Sequence, residues 1–288
     1  MFRQMTVMGV GLIGGSMARA LRQVDAVRSI VGYGRDQRSL QQAVDLGVID
    51  RYELDLQQAV SGADLIIMAV PIGAMAELFT AMRPYLADDV IITDVGSAKQ
   101  SVIDAATKGL AEHSAAFVPG HPIAGTEQSG VAASFAALFE DRRVILTPLP
   151  SNTNETIDRV RKLWQLCGAE VVTMEAVHHD NVLAATSHLP HLLAYALVNT
   201  LLGMDDSEEI FTFAAGGFRD FTRIASSDPI MWRDICLANR ESILMTLDRF
   251  SDDIAGLRAA IEHADDEQLK QLFSRAKAVR DRVVKENG

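Results

Sequence analysis

Two short stretches combine residues able to move a proton with glycines that let the backbone come close to a ligand. One is Thr93-Asp94-Val95-Gly96-Ser97-Ala98-Lys99, and the other is His121-Pro122-Ile123-Ala124-Gly125-Thr126-Glu127. A histidine in such a loop can accept the proton of a substrate hydroxyl while hydride leaves the same carbon for a nicotinamide, because imidazole titrates near neutral pH. Ser97 can hydrogen-bond that imidazole and set its tautomer. Plainer readings compete with these. His121 precedes a proline and also suits an ordinary turn, and Ser97 also suits a helix cap.

Further along, His188 and His191 stand one helical turn apart on a shared face, with Pro190 between them. The proline removes one helical hydrogen bond, leaving the Thr186 carbonyl without its usual donor, and so allows the helix to bend around a bound molecule. Two histidines at that spacing also suit zinc. The surrounding segment supplies no cysteine or carboxylate at ligand-like positions, so no metal is assigned.

Hydride chemistry needs a dinucleotide, and the chain carries a matching turn. GVGLIG, from Gly9 to Gly14, follows the short apolar run Met5 to Met8 and precedes an apolar, helix-favouring stretch from Ser16 to Val24. In that order the first glycine permits a tight turn, and the second lets the backbone approach a pyrophosphate. The third allows close helix–strand packing, and the helix amino terminus offers N–H groups to phosphate. Leu12 and Ile13 inside the turn, with Val70 and Pro71 after a later apolar run, complete the expected cofactor wall. The second strand ends Val31-Gly32-Tyr33-Gly34-Arg35, with glycine where a ribose-binding carboxylate is expected. Without that carboxylate nothing repels a 2′-phosphate, and Arg35, with Arg38, can pair with it. NADP is the expected cofactor. NAD, with Asp36 serving the ribose, is the alternative.

The elements that must hold these residues alternate through the first half. Ser29 to Tyr33, Ala63 to Val70, Asp89 to Val95, Ala116 to Pro119, Arg143 to Thr147 and Glu170 to Met174 read as strands. Helical stretches lie between them, notably Gln37 to Leu46 and Thr156 to Leu166. That alternation predicts an α/β, doubly wound, mostly parallel Rossmann-type sheet. Past Ala176 only helices follow: Val177 to Leu202 broken at Pro190, an acidic loop at Asp205 to Glu209, then a helix capped by Asp228-Pro229. Ile243, Leu247, Phe250, Ile254, Leu257 and Ile261 form a seam that needs another helix to cover it. The expected organisation is a dinucleotide-binding domain at 1–176 and an all-helical substrate and dimerisation domain at 177–288, forming a homodimer.

The 288 residues carry a net charge of −11, which argues against nucleic acid or an anionic membrane as partner. No apolar run is long enough to span a bilayer. The start runs straight into the first strand, and Cys167 and Cys236 read as two reduced thiols, so a cytoplasmic protein is expected.

Five stretches together resemble the prephenate and arogenate dehydrogenase family of tyrosine biosynthesis. They are GVGLIGGS (Gly9–Ser16), TDVGSAK (Thr93–Lys99), HPIAGTEQSG (His121–Gly130), TSHLPH (Thr186–His191) and FRDFTRIASSDPIMWRDI (Phe218–Ile235). The likeness runs in the same order through nearly the whole chain. It implies an oxidative decarboxylation in which hydride leaves the hydroxyl-bearing ring carbon and carbon dioxide leaves the opposite one. It further implies that His121 partners the substrate hydroxyl, with Ser97 in support, and that His188 and His191 border substrate and nicotinamide. By the same resemblance Arg223 grips a substrate carboxylate, with Arg219 and Arg233 as rivals and Asp220 placed to steady it. Thr126, Glu127 and Trp232 match positions that shape or gate the pocket.

A dehydrogenase of the 3-hydroxyacid type is the nearest rival. That group relies on a lysine in the first long helix of its second domain, and Val177 to Leu202 contains none. A nucleotide sensor without catalysis is the other alternative. The chain ends, Met1 before the first strand and Lys285 to Gly288 at the other terminus, lead to the expectation that neither a fused chorismate mutase nor a separate ligand-sensing domain is present. Any feedback by tyrosine is then expected to act within the catalytic region.

Overall fold

The computed structural model describes residues 2–287, with side chains as far as Val283; the chain-end reading at Met1 and Lys285 to Gly288 lies outside these described side chains. In chain order the first half runs β1 (Phe2–Met8), α1 (Leu12–Gln23), β2 (Val27–Tyr33), α2 (Gln37–Asp45), β3 (Arg51–Glu53), α3 (Leu56–Val60), β4 (Leu65–Met68), α4 (Ile72–Met82), β5 (Ile91–Asp94), α5 (Gln100–Leu110) and β6 (Phe117–Val118). These six strands form one sheet in the order β3-β2-β1-β4-β5-β6, and every pairing in it is parallel. The order reverses between β1 and β4, which leaves a crevice at their carboxyl ends where ligands of open α/β sheets bind.

The sheet is buried on both faces, and its strands alternate between two cores. Met5 and Val7 of β1 and Leu65 and Ile67 of β4 pack with Met17 and Leu21 of α1 and Leu40 of α2. Met8, Ile66 and Met68 point the other way, against Met75, Phe79 and Met82 of α4 and Val102 and Leu110 of α5. This two-sided burial explains the unbroken apolar runs of the central strands, because neither set of alternating side chains meets water.

Beyond β6 the chain departs from the single sheet that the alternation predicts. The stretch read as one strand at Ala116 to Pro119 ends at Val118, and β7 (Gly120–Pro122) opens a second sheet. There β7 pairs antiparallel with β8 (Arg143–Leu146), which pairs parallel with β9 (Glu170–Thr173). The helix α6 (Asn154–Leu166) separates these last two strands. Three-residue strands such as β3 and β7 carry too little apolar pattern to be read from sequence.

The helical remainder comprises α7 (Ala176–Leu183), α8 (Leu189–Leu202), α9 (Ser207–Thr212), α10 (Gly216–Thr222), α11 (Pro229–Ala238), α12 (Arg240–Glu262) and α13 (Asp266–Asn287). Between α7 and α8 a π-helical turn, Ala184–His188, absorbs the irregularity expected at Pro190, so the break precedes the proline. A π turn widens the hydrogen-bond spacing, relieving the donor that proline lacks. The acidic stretch expected to be a loop at Asp205 to Glu209 instead starts α9, with Glu208 and Glu209 in its first turn, where the helix dipole favours negative charge. Asp228 caps α11 by accepting from Met231 N at 2.8 Å, with Pro229 at the first helical position.

The chain divides into two compact units, Met1–Arg240 and Glu241–Gly288. Hydrogen bonds from α7 and α11 back to the sheet-bearing half help make the first unit continuous. In the second unit, α12 and α13 are steadied by i,i+4 pairs, Arg258 with Glu262 and Lys277 with Asp281. Ile254, Ile261, Phe273 and Val279 stay exposed along them.

Candidate active site

The glycine turn connects β1 to α1, and its three glycines do different work. Gly9 has φ of 93°, and a Cβ there would lie 2.6 Å from the Ala69 carbonyl oxygen at the end of β4. At Gly14 a Cβ would lie 2.5 Å from the Gly9 carbonyl oxygen, so this glycine permits α1 to seat against the turn. At Gly11 a Cβ would meet nothing within 4 Å. Packing therefore explains the first and third glycines, while the second faces open space at the amino end of α1. That is the arrangement a pyrophosphate requires. Leu12 and Ile13 form the half-buried first turn of α1; Val70 follows β4, and Pro71 caps α4 across the crevice.

At the far end of the crevice, Arg35 is exposed after β2. Asp36, the residue of the NAD alternative, is exposed next to it and engaged at the start of α2. Its carboxylate caps α2, accepting from Arg38 N at 3.0 Å and from the Ser39 hydroxyl at 2.8 Å. The Ser39 hydroxyl and the Arg38 amide hold it below the usual carboxylate range.

His121 occupies the middle of β7, buried, opposite Ile145 of β8. A fully buried ion pair lies beneath it. Lys99 Nζ bonds Asp94 and donates to the Gly120 carbonyl at 2.8 Å, while Asp94 accepts from Gly120 N at 3.0 Å and Gly96 N at 2.8 Å. Both backbone groups of the residue before His121 are thus fixed by charged partners. Burial pulls the Lys99 ammonium below its ordinary pKa, opposed by Asp94 and then Asp180. Such a pair contributes little net stability against an apolar substitute, but removing one partner strands a buried charge.

The imidazole of His121 does not meet Ser97, as the sequence had led us to expect. Its Nδ1 lies 2.8 Å from Nε2 of His179 on α7, and His179 Nδ1 lies 2.8 Å from Asp180 Oδ1. The Ser97 hydroxyl, half-buried in the loop after β5, makes no hydrogen bond among the described residues, while the Ser97 backbone faces the His188 ring. Asp180 also accepts from Lys99 N at 2.8 Å and Gln100 N at 2.9 Å, at the start of α5. Burial alone would raise its pKa; the His179, Gln100 and Lys99 hydrogen bonds prevail and hold it low. His121 is pushed well below the ordinary histidine value, first by burial and then by His179, Lys99 and His188.

His179 and Asp180 escaped the sequence reading although a signal existed. Ala176, His179, Asp180 and Leu183 fall at i, i+3, i+4 and i+7, an inward stripe of α7 with polar residues at two core positions.

A second cluster surrounds Trp232. His191 stacks on its indole at 3.9 Å between ring centres, and His188 meets it edge-on at 6.0 Å. His191 Nδ1 lies 2.8 Å from the Ser187 carbonyl, and Asn239 Nδ2 lies 3.2 Å from His188 Nδ1. Burial brings His188 down to about 4. His188 Nε2 and Trp232 Nε1 are both buried without a hydrogen-bond partner. The His188 ring also faces the Ser97 backbone, so the Trp232 N–H is the polar atom this cluster leaves open.

Arg223 begins a turn after α10 and pairs with Glu127 of the exposed loop after β7, so these two candidates meet each other. The partner expected from sequence, Asp220, makes no such bond among the described residues. Arg233 is engaged by Asp234, and Arg219 is exposed. Thr126 is exposed beside Glu127, its hydroxyl accepting from Gln128 N at 3.2 Å.

Comparison with known proteins agrees with this layout. The model of the prephenate dehydrogenase nucleotide-binding domain matches residues 17–173, and that of the prephenate dehydrogenase dimerization domain matches residues 175–275. The cyclohexadienyl dehydrogenase of Zymomonas mobilis is 41% identical, over 97% of this chain and 95% of that protein. The prephenate dehydrogenase of Bacillus subtilis is 38% identical, over 95% of this chain and 74% of that protein. Among solved structures, prephenate dehydrogenase from A. aeolicus, crystallised with hydroxyphenyl propionate and NAD+, superposes with a TM-score of 0.91 at 36% identity, covering 98% of each chain. With both family models matching in order across residues 17–275 and relatives at 38–41% identity over nearly the whole chain, the chain belongs to the prephenate dehydrogenase family.

Proposed function

We propose that the chain performs the oxidative decarboxylation of prephenate or arogenate with His121 as the base that takes the substrate's ring hydroxyl proton. A bound nicotinamide supplies the hydride acceptor. The observation that carries this reading is the placement of His121, buried on β7 with one ring nitrogen engaged by His179, so that Nε2 remains for substrate. Its depressed pKa keeps the imidazole neutral and able to accept a proton at neutral pH. As the hydroxyl proton moves to His121 and hydride departs from the same carbon, a ring carbonyl forms. The carbon–carboxylate bond opposite then breaks, its electron pair aromatises the ring, and carbon dioxide leaves. The phenolate oxygen so formed takes the proton back from His121, giving 4-hydroxyphenylpyruvate or tyrosine.

Other residues orient the substrate. Ser97 supplies a hydroxyl beside the reacting oxygen, and His188, His191 and Trp232 form the wall between substrate and nicotinamide. Arg223 exchanges Glu127 for a substrate carboxylate, which its planar guanidinium can hold through two bonds. Thr126 and Glu127 line the entrance. Gly9, Gly11, Leu12, Ile13, Gly14, Val70 and Pro71 hold the cofactor.

We assign NADP as the preferred cofactor, with Arg35 at the 2′-phosphate. The commitment of Asp36 to the α2 cap supports this assignment, since no carboxylate then stands at the ribose. The division at residue 176, a homodimer through the helical half and a cytoplasmic location belong to the same proposal. The two family models meet between residues 173 and 175, and exposed Ile254, Ile261 and Phe273 offer apolar area for a second copy. No described helix is long and apolar enough to cross a membrane.

The test is turnover of both cyclohexadienes with both nicotinamides, for the parent and for His121→Asn. The parent is expected to reduce NADP faster than NAD, and the variant to lose about 10²–10⁴-fold in kcat. Unchanged turnover in the variant would remove His121 as base.

A further inference from the structure

We propose that His179 and Asp180 form a relay with His121 that fixes its tautomer before turnover and receives its charge during it. This rests on the reading of His121 as the base, which the relay deepens.

The direction of every hydrogen bond in the relay follows from its last member. Asp180 accepts two backbone N–H groups, from Lys99 and Gln100, which help hold its pKa low, so the carboxylate is ionised and only accepts. His179 Nδ1, 2.8 Å from Asp180 Oδ1, must therefore carry a proton and donate it. A neutral His179 then presents a bare Nε2. His121 Nδ1, 2.8 Å away, has to be the donor to it. In neutral His121 the lone pair is consequently at Nε2, the nitrogen a base must offer. A carboxylate two bonds removed has selected the reactive tautomer of a histidine 59 positions earlier in the chain.

Charge follows the same path. When His121 Nε2 takes the substrate proton, an imidazolium forms in a buried position beside the Lys99 ammonium and near His188. Moving the Nδ1 proton across to His179 Nε2 leaves His121 neutral, with its new proton on Nε2, and places the cation against the Asp180 carboxylate. No atom is gained or lost; the N–H bond on His121 Nδ1 breaks as one on His179 Nε2 forms. Reversal returns the proton when the phenolate needs it. The groups facing this relay are Asp94 at the end of β5, Lys99 from the loop that follows it, and His188 from the π-helical turn. Lys99 and any proton on His188 oppose a cation on His121, while Asp180 is the anion placed to accept it.

His179 is thus a positioning residue, since it acts through His121. The experiment compares His179→Leu, His179→Gln and Asp180→Asn with His121→Asn in steady-state kinetics across pH, with cofactor affinity measured by fluorescence. His179→Leu is expected to lose about 10²-fold in kcat with KM and cofactor affinity little changed. His179→Gln, whose Oε1 can still accept the Nδ1 proton but cannot become cationic, is expected to recover only part of that loss. In Asp180→Asn, loss of the anion makes protonation harder, so the acid limb of the kcat/KM profile moves to lower pH. A parental kcat in His179→Leu, or an unmoved limb in Asp180→Asn, would overturn the relay. If His121→Asn is inactive in the same experiment, the base assignment survives that failure; if it is active, both fall.

Discussion

Lys99 and Arg223 each pair a positive side chain with a carboxylate, but Lys99 is fully buried with Asp94 whereas the Arg223 side chain is 62% exposed beside Glu127. The first pair clamps the backbone around Gly120 and His121 and is closed off from water. The second sits where water and ligand both reach, and its carboxylate can be exchanged for another. Charge in the floor of the site thus maintains geometry, while charge at its rim is available for binding. The physical difference is desolvation: a buried ion is held to its counter-ion, and an exposed one is not.

Variants can break this contrast. The largest effect is expected for Lys99→Met, which strands the buried Asp94 carboxylate and should cost about 3–5 kcal/mol of stability. Urea unfolding reads this, and a loss below about 1 kcal/mol would show the floor to be no different from the rim. Arg223→Ala should leave the unfolding midpoint nearly unchanged while raising KM for the cyclohexadiene roughly 10- to 100-fold, the range for a charge-assisted hydrogen bond. A parental KM would release Arg223 from its role.

Acid sharpens the comparison further. His188 is brought to about 4 from 6.5 by burial, so between those values the unfolded chain binds a proton that the folded chain refuses. The stability contribution is complete above about 6.5 and is lost as pH falls toward 4. His121 acts in the same direction. Melting temperature should therefore drop across that window, less steeply in His188→Asn; equal slopes would contradict the assignment. The smallest effect is expected for Glu127→Gln. An exposed pair is worth at most about 1 kcal/mol, so stability should hold and KM should shift by only a few-fold.

Legibility from sequence followed the range of the forces involved. The glycine turn was readable because Gly9, Gly11 and Gly14 answer constraints set within a few residues of one another. The central strands were readable because Leu65–Met68 and its neighbours are buried on both faces and so are uniformly apolar. The Asp228-Pro229 cap is equally local. By contrast β7 is three residues long and is defined only by pairing with β8, more than twenty positions away. The π-helical turn also escaped, since a proline announces a disturbance without saying on which side the helix absorbs it.

Within the site, residue types nominated His121, Ser97, His188 and His191, whose side chains carry visible chemistry, while resemblance to the family nominated Glu127 and Arg223. Their partners were decided by packing. His179 rather than Ser97 meets His121, Glu127 rather than Asp220 meets Arg223, and Asp36 caps a helix. The sequence by itself determined a parallel dinucleotide-binding sheet and its family, because periodicity and contiguous motifs are properties of neighbouring residues. Only the tertiary structure decided which hydrogen-bond donor faces which acceptor, because a hydrogen bond is set to within a few tenths of an ångström by elements far apart in the chain.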